Sequence, residues 1–263
     1  MKRDPFVLRV KDGTKEEAHM ASDIQYSFER VEKKYMLTRT QRDALLNRIG
    51  SHLEADAHPT YTICNLYYDT NDYRLIRASI EKPVYKEKLR VRSYGVPGEG
   101  DTVFVELKKK FDGVVYKRRV TTELPLVEPF LTGLLEKDAF GQIGKEIDWL
   151  QRCNKTVPKV FIGYDRTAFA GIEDTELRVT FDTNLRWRTS KLDLACGDYG
   201  QLLLPQDAVL MEIKLPGVCP LWLGRALSEL SIYPTSFSKY GACYQQYLLP
   251  QLQNNRWEDM FCA

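Results

Sequence analysis

In 87-EKLRVRSYG-95, Lys88, Arg90 and Arg92 alternate with Leu89 and Val91. Successive side chains of an extended strand point to opposite faces, so the cations share one side and the aliphatic residues the other. A half-buried strand ordinarily turns its apolar side to the core and its polar side to water. Whether these cations meet solvent or an anion is decided by the other strands.

The same alternation recurs along the chain. In 28-FERVEKKYMLT-38, Arg30, Glu32 and Lys34 share a face. In 102-TVFVELKKK-110, Glu106, Lys108 and Lys110 lie opposite Val103, Val105 and Leu107. Lys117 and Arg119 share a face of 114-VVYKRRVTTEL-124, which an Asp112-Gly113 hairpin turn joins to the preceding strand. Arg166 lies in 159-KVFIGYDRTAFA-170, and Arg178, Thr180 and Asp182 line one side of 176-ELRVTFDTNLRWRT-189. Glu212 and Lys214 alternate with Met211, Ile213 and Leu215 in 208-AVLMEIKLP-216. A further strand, 60-TYTICNLYYDT-70, is rich in β-branched and aromatic residues.

Helices fall between these strands. The segment 40-TQRDALLNRIGSHLEADA-57 places Leu45, Leu46, Ile49 and Leu53 at helical spacing behind a threonine cap. One or two helices are expected in 126–155, and two more in 219–230 and 239–252. The chain reads as α+β: a large antiparallel sheet of eight strands closed into a barrel, in one domain over 25–253, with tails at 1–24 and 254–263.

Solvated faces would mix signs and neutral polar residues, whereas here cations dominate. A closed barrel can turn its charged sides inward and its apolar sides outward under a coat of helices. Buried cations left unpaired would cost about several kcal/mol each, so the interior needs an anionic occupant. Arginine and lysine bind phosphate oxygens through strong charge-assisted hydrogen bonds, which makes a phosphate chain the fitting one. Glu32, Glu106 and Glu212 each stand two positions before a lysine, and a carboxylate beside phosphates is a natural oxygen ligand for Mg²⁺ or Mn²⁺.

Composition narrows the classes. The net charge of +2 excludes a generally basic nucleic-acid coat, so a basic site must come from local placement. No apolar run is long enough to span a membrane and no secretory leader is present, so a cytoplasmic protein is expected. The 6 cysteines form no CxxC pair, which predicts reduced thiols. Trp149, Leu150, Trp222 and Leu223 are expected to pack helices on the barrel, and Tyr67 and Tyr68 to pack in the core. Asp182 is expected to pair with a neighbouring arginine, and His19, His52 and His58 to lie on the surface.

The patterns 30-RVEKKYML-37, 65-NLYYDT-70, 88-KLRVRSYG-95, 104-FVELKKK-110, 164-YDRTAF-169, 177-LRVTFD-182, 211-MEIK-214 and 238-SKYG-241 together resemble the VTC domain. That domain is the polyphosphate polymerase branch of the triphosphate tunnel metalloenzymes, related to CYTH-type phosphatases. The resemblance runs from about residue 26 to 248. It implies an eight-stranded antiparallel tunnel whose basic interior holds ATP or polyphosphate, and metal-dependent transfer of the ATP γ-phosphate to a growing chain. Pyrophosphate or phosphate would serve as primer.

Carried over by position, the resemblance makes Arg90, Arg92, Lys108, Arg166 and Lys239 the catalytic cations. Lys34, Lys88, Lys117, Arg119, Arg178, Lys214 and Ser238 become further phosphate ligands, with Arg118 replacing a neighbour if the register slips and Arg77 as another counterpart. Glu212 is the metal ligand, joined by Glu32 and Glu106. One departure bears on the reaction. The hydrolytic branch opens with an ExExK strand, whereas Arg30 stands at the first acidic position and Glu29 is out of phase. Fewer acids give less support to a second metal and an activated water, which favours transfer over hydrolysis. A tunnel triphosphatase and a non-catalytic module that senses polyphosphate or inositol phosphates are the competing readings. The eukaryotic relatives add an inositol-phosphate-sensing domain and membrane spans, and this chain reads as a free-standing soluble version.

Overall fold

The computed structural model describes residues 31–135 and 140–253. The stretches assigned to tails, together with Glu29 and Arg30, lie outside them. Among the described residues ten strands form one antiparallel sheet in the order β10-β1-β9-β7-β6-β2-β3-β4-β5, with β8 paired to β7. The long strands are β1 (Val31–Thr38), β2 (Leu53–Asp69), β3 (Tyr85–Tyr94), β4 (Thr102–Phe111), β5 (Val114–Glu123), β6 (Val157–Gly171), β7 (Arg178–Arg188) and β9 (Ala208–Leu215). Only β8 (Gln201–Leu202) and β10 (Pro234–Thr235) are short.

Eight long strands match the expectation, but the sheet stays open, with β5 and β10 at its ends. Part of the free edge of β1 is taken by β10, where Pro234 has no amide hydrogen to donate, so the ladder stops there. The sheet nevertheless curls. Lys88 of β3 reaches Ser238 across the interior, and Lys239, the next residue, reaches Asp182 of β7 and Glu212 of β9.

The apolar faces lie outward, as the alternation demands. Tyr35, Leu37, Val179, Phe181, Met211 and Ile213 pack beneath α1 (Arg39–Ile49) and α5 (Leu221–Glu229), which contribute Leu45, Ile49, Leu223 and Leu227. Leu89, Val91, Val103, Val105 and Leu107 pack beneath α3 (Val127–Leu131) and α4 (Gly141–Asn154) through Phe130, Ile147 and Leu150. The helix α1 starts on a capping box, in which Thr38 accepts from the Gln41 amide and Gln41 returns a bond to the Thr38 amide. It ends eight residues earlier than the leucine spacing predicts: Gly50–His52 makes a 3-10 turn and Leu53 already opens β2. Leu53 is buried as a strand residue, and His52, half-buried, stacks on Trp222 at 4.3 Å.

Two expectations about packing are corrected. Trp149 does not join α4 to the barrel; it is 70% exposed, while its neighbour Leu150 is buried. Nor do all helices coat the outside. The inward positions Tyr67, Val160, Ile162 and Tyr164 are apolar or aromatic and lie under α2 (Arg74–Ile80) and α6 (Lys239–Cys243), with a π turn at Tyr244–Leu248. Those two helices fill one end of the interior, which is why Val160, Phe161 and Ile162 are buried on both faces of β6. The described cysteines, Cys64, Cys153, Cys196, Cys219 and Cys243, are all free thiols.

Candidate phosphate tunnel

The strand register lines up the expected charged residues on one continuous inner face. Lys88, Lys108 and Lys117 stand directly opposite one another on β3, β4 and β5, and Arg90, Glu106 and Arg119 form the next row. On the other wall Lys34 opposes Glu212, Glu32 opposes Lys214, Lys214 opposes Arg178, and Arg166 opposes Asp182. Arg118 lies on the opposite face of β5 and pairs with Glu146 of α4, so the register keeps Lys117 and Arg119 inside. Arg77 is not brought in; it sits exposed on α2 with Asp72. Arg178 lies toward the rim, bound to Asp56 at 2.9 Å.

Two carboxylate centres organise the cations. Glu106 is buried to 1% exposure and takes Arg90 at 2.7 Å, Lys117 at 3.0 Å, and Arg119 in contact, with Arg92 at 3.8 Å. Burial alone would raise its pKa, but Arg90, Arg92, Lys117 and Arg119 outweigh it and hold the carboxyl well below the usual range. The second centre is Asp182, fully buried, which binds Arg166 in a fork at 2.6 and 2.8 Å and Lys239 at 2.6 Å. Asp182 thus pairs with its neighbours as the sequence suggests.

Beside it lies Glu212, within 3.3 Å of Lys34, 3.4 Å of Lys239 and 3.6 Å of Arg166. Its burial is likewise overcome, by Lys239, Lys34 and Arg166, and it stays ionised far below the ordinary carboxylate range. Lys34 also approaches Glu32 at 3.5 Å, so two carboxylates converge on a single cation. That donor set fits a divalent ion completed by phosphate oxygens and water. Glu106, enclosed by cations, does not present such a face. Among the described residues no cluster of three or more metal-ligating side chains forms.

Several members of the site escaped the sequence reading. Asn65 accepts from Arg92 Nε at 3.0 Å and donates to the Ile162 carbonyl at 3.0 Å, fixing the guanidinium; an asparagine inside an apolar strand was the available signal. Tyr67 stacks on Tyr240 at 4.8 Å and its hydroxyl accepts from Arg90 at 3.2 Å, so this core residue also touches the site. Buried Asp69 accepts from the amides of Leu75 and Ile76 at the start of α2 and from the Tyr240 hydroxyl at 3.0 Å. The NLYYDT and SKYG segments therefore meet in space, and that bond sets α6 where Ser238 and Lys239 enter the tunnel. Ser238 itself caps α6 through the Gly241 amide.

The row Lys88–Lys108–Lys117 differs from its neighbours. Lys88 has no carboxylate partner among the described residues; its amine donates to Ser238 Oγ at 3.0 Å. Burial, then Lys86, Lys108, Lys34 and Arg90, push its pKa down to about 7. A bound anion raises that value, so phosphate binding should draw a proton onto Lys88 at pH 8 and weaken as pH climbs above about 7. Calorimetry of tripolyphosphate binding in buffers of different ionisation enthalpy should show proton uptake that Lys88→Met removes; equal uptake in both proteins would contradict it.

The VTC domain family matches residues 29–248. Subunit 4 of the vacuolar transporter chaperone complex of Schizosaccharomyces pombe is 28% identical over 244 residues, covering 74% of this chain and 33% of that protein. The chain thus spans about a third of that relative's length. Solved structures similar to this one include a candidate adenylate cyclase from Bacillus halodurans, with TM-score 0.49, 12% identity and coverage of 83% of this chain and 96% of that one. Another is a candidate adenylyl cyclase from Hippeastrum described as having a dominant triphosphatase activity, with TM-score 0.49, 18% identity and coverage of 82% and 95%. Among the described residues no helix is long and apolar enough to cross a membrane. With every strand of the described sheet inside the matched segment, the chain belongs to the VTC-domain family.

Proposed function

We propose that the chain transfers the γ-phosphate of ATP to a growing inorganic polyphosphate, started on pyrophosphate or phosphate, with Mn²⁺ or Mg²⁺. The observation that carries this reading is the lysine row. Like charges directly opposite one another destabilise a sheet, and here Lys88, Lys108 and Lys117 are stacked across three strands with Glu106 engaging only Lys117. A row of that kind is stabilised by an anion that bridges it, and a phosphate chain has the charge spacing to do so.

The transferred phosphoryl group passes through a loose transition state with charge spread over its oxygens, so positioning and fixed positive charge do most of the work. Arg90, Arg92, Lys108, Arg166 and Lys239 supply that charge. Four of them are held in place: Glu106 and Tyr67 orient Arg90, Asn65 orients Arg92, and Asp182 orients Arg166 and Lys239. A guanidinium has five N–H donors, so Arg166 retains donors for phosphate after its fork to Asp182. Lys34, Lys88, Lys117, Arg119, Lys214 and Ser238 extend the grip along the chain, and Arg178 does so at the rim. Glu212 and Glu32 would hold the divalent ion, which neutralises charge on the phosphate oxygens when bound. The acceptor is an already ionised phosphate, so no dedicated base is required. Glu106 we assign to holding cations rather than metal.

The test is product analysis. Purified protein with ATP, Mn²⁺ and a trace of pyrophosphate should give a polyphosphate ladder and ADP in step. Free phosphate without a ladder would replace this reading with a triphosphatase, and tight polyphosphate binding without turnover would replace it with a sensor.

A further inference from the structure

The mouth of the tunnel beyond Arg92 and Arg119 changes character. Tyr94 forms ring contacts with Tyr61 at 5.8 Å and with Phe104 at 5.7 Å, and the Arg119 guanidinium lies over Phe104 at 4.3 Å. Tyr94 is 51% exposed, although it is the inward residue that follows Arg92 on β3. It separates two open clefts. One, of about 400 Å³, is lined by Ser93, Tyr94, Pro97, Asp101, Thr102 and Phe104. The other, of about 370 Å³, is lined by Asp56, Ala57, His58, Tyr61 and Tyr94. Each reaches the volume range of small-molecule sites.

This surface suits a different ligand from the interior. Exposed aromatic faces give a phosphate chain nothing to bind, and the Asp101 carboxylate repels it, while Asp56 is already paired with Arg178. An uncharged aromatic group bearing hydroxyls gains on both counts, by stacking on the rings and by donating to Asp101. It must also be joined to phosphates, because the rings abut the cations: Arg119 touches both Phe104 and Glu106.

We propose that Tyr94, with Tyr61 and Phe104, seats the nucleoside of an entering nucleoside triphosphate while its phosphates run inward past Arg92 and Arg119. This deepens the polymerase reading and rests on it. The mouth then distinguishes a nucleotide donor from a bare phosphate chain, which uses the interior alone. Tyr94 is a specificity-determining residue, and its ring does the work.

Binding of ATP and of inorganic tripolyphosphate to the full chain, measured by calorimetry, tests this. Because base–aromatic stacking is lost, Tyr94→Ala should weaken ATP about tenfold or more. Tripolyphosphate affinity should stay within about twofold, since its contacts are the interior cations. Tyr94→Phe, which keeps the ring, should bind ATP like the parent. Loss of both ligands in equal measure, or of neither, overturns the nucleoside seat and leaves the phosphate tunnel standing. A parent chain that binds neither ligand overturns the tunnel reading and the seat with it.

Discussion

Replacing Arg90 by alanine should lower polyphosphate synthesis from ATP by about 10²-fold or more, the loss that follows removal of one preorganised charge donor from a phosphoryl-transfer site. Arg90 occupies the middle of the inner face, held by Glu106 at 2.7 Å and by the Tyr67 hydroxyl at 3.2 Å; burial works against its charge, and these partners outweigh it. The effect should fall mainly on the rate, because the neighbouring cations still bind the chain. Lys109→Ala provides the control. Lys109 sits one residue from Lys108 but on the outer face, paired with Glu146 of α4, and its loss should leave synthesis unchanged. Rates from Arg90→Ala within about threefold of the parent would remove this arginine from the reacting phosphates.

The largest effect on stability is expected at Glu106. Glu106→Gln keeps the shape but removes the negative charge that Arg90, Arg92, Lys117 and Arg119 surround. Breaking a buried pair in this way costs about 3–5 kcal/mol. For a chain of this size that corresponds to a fall in Tm on the order of 10 °C, and tripolyphosphate should restore much of it by supplying the missing charge. The sign with pH follows from the depressed carboxyl: its stabilisation is present above the unfolded carboxylate range and is lost as pH falls through the lower folded value. Metal dependence of the surviving activity should not move. A normal Tm together with a raised metal requirement would make Glu106 a metal ligand instead.

The inner face was legible because period-two alternation is a strict geometric rule. Once β3, β4 and β5 pair as they do, Arg90, Glu106 and Arg119 have no choice but to stand in one row. The Asp112-Gly113 turn fixed the β4–β5 part of that register, with both residues at positive φ as a tight hairpin requires. What alternation does not carry is which helix covers which face. The plug by α2 and α6 depends on the Asp69–Tyr240 bond, made across 171 residues. Leu53 fits the helical spacing of Leu45 and Ile49 equally well, and only the 3-10 break at Gly50 assigns it to β2. Closure failed for a related reason. It depends on what lies at the two free edges, and Pro234 of β10, distant in sequence from β1, sits on one of them. The pairing of Glu106 was hidden too, since a glutamate before a lysine reads the same whether it faces metal or guanidinium.

On the proposed function, the inward cations grip phosphate. A crystal structure of the chain with tripolyphosphate addresses it directly. Phosphate density is expected inside the curled sheet, in hydrogen-bond contact with Lys88, Arg90, Lys108, Arg166 and Lys239, and with Lys88 drawn from Ser238 toward the anion. Density on the outer surface alone, or an interior that remains free of phosphate at saturating ligand, would contradict it.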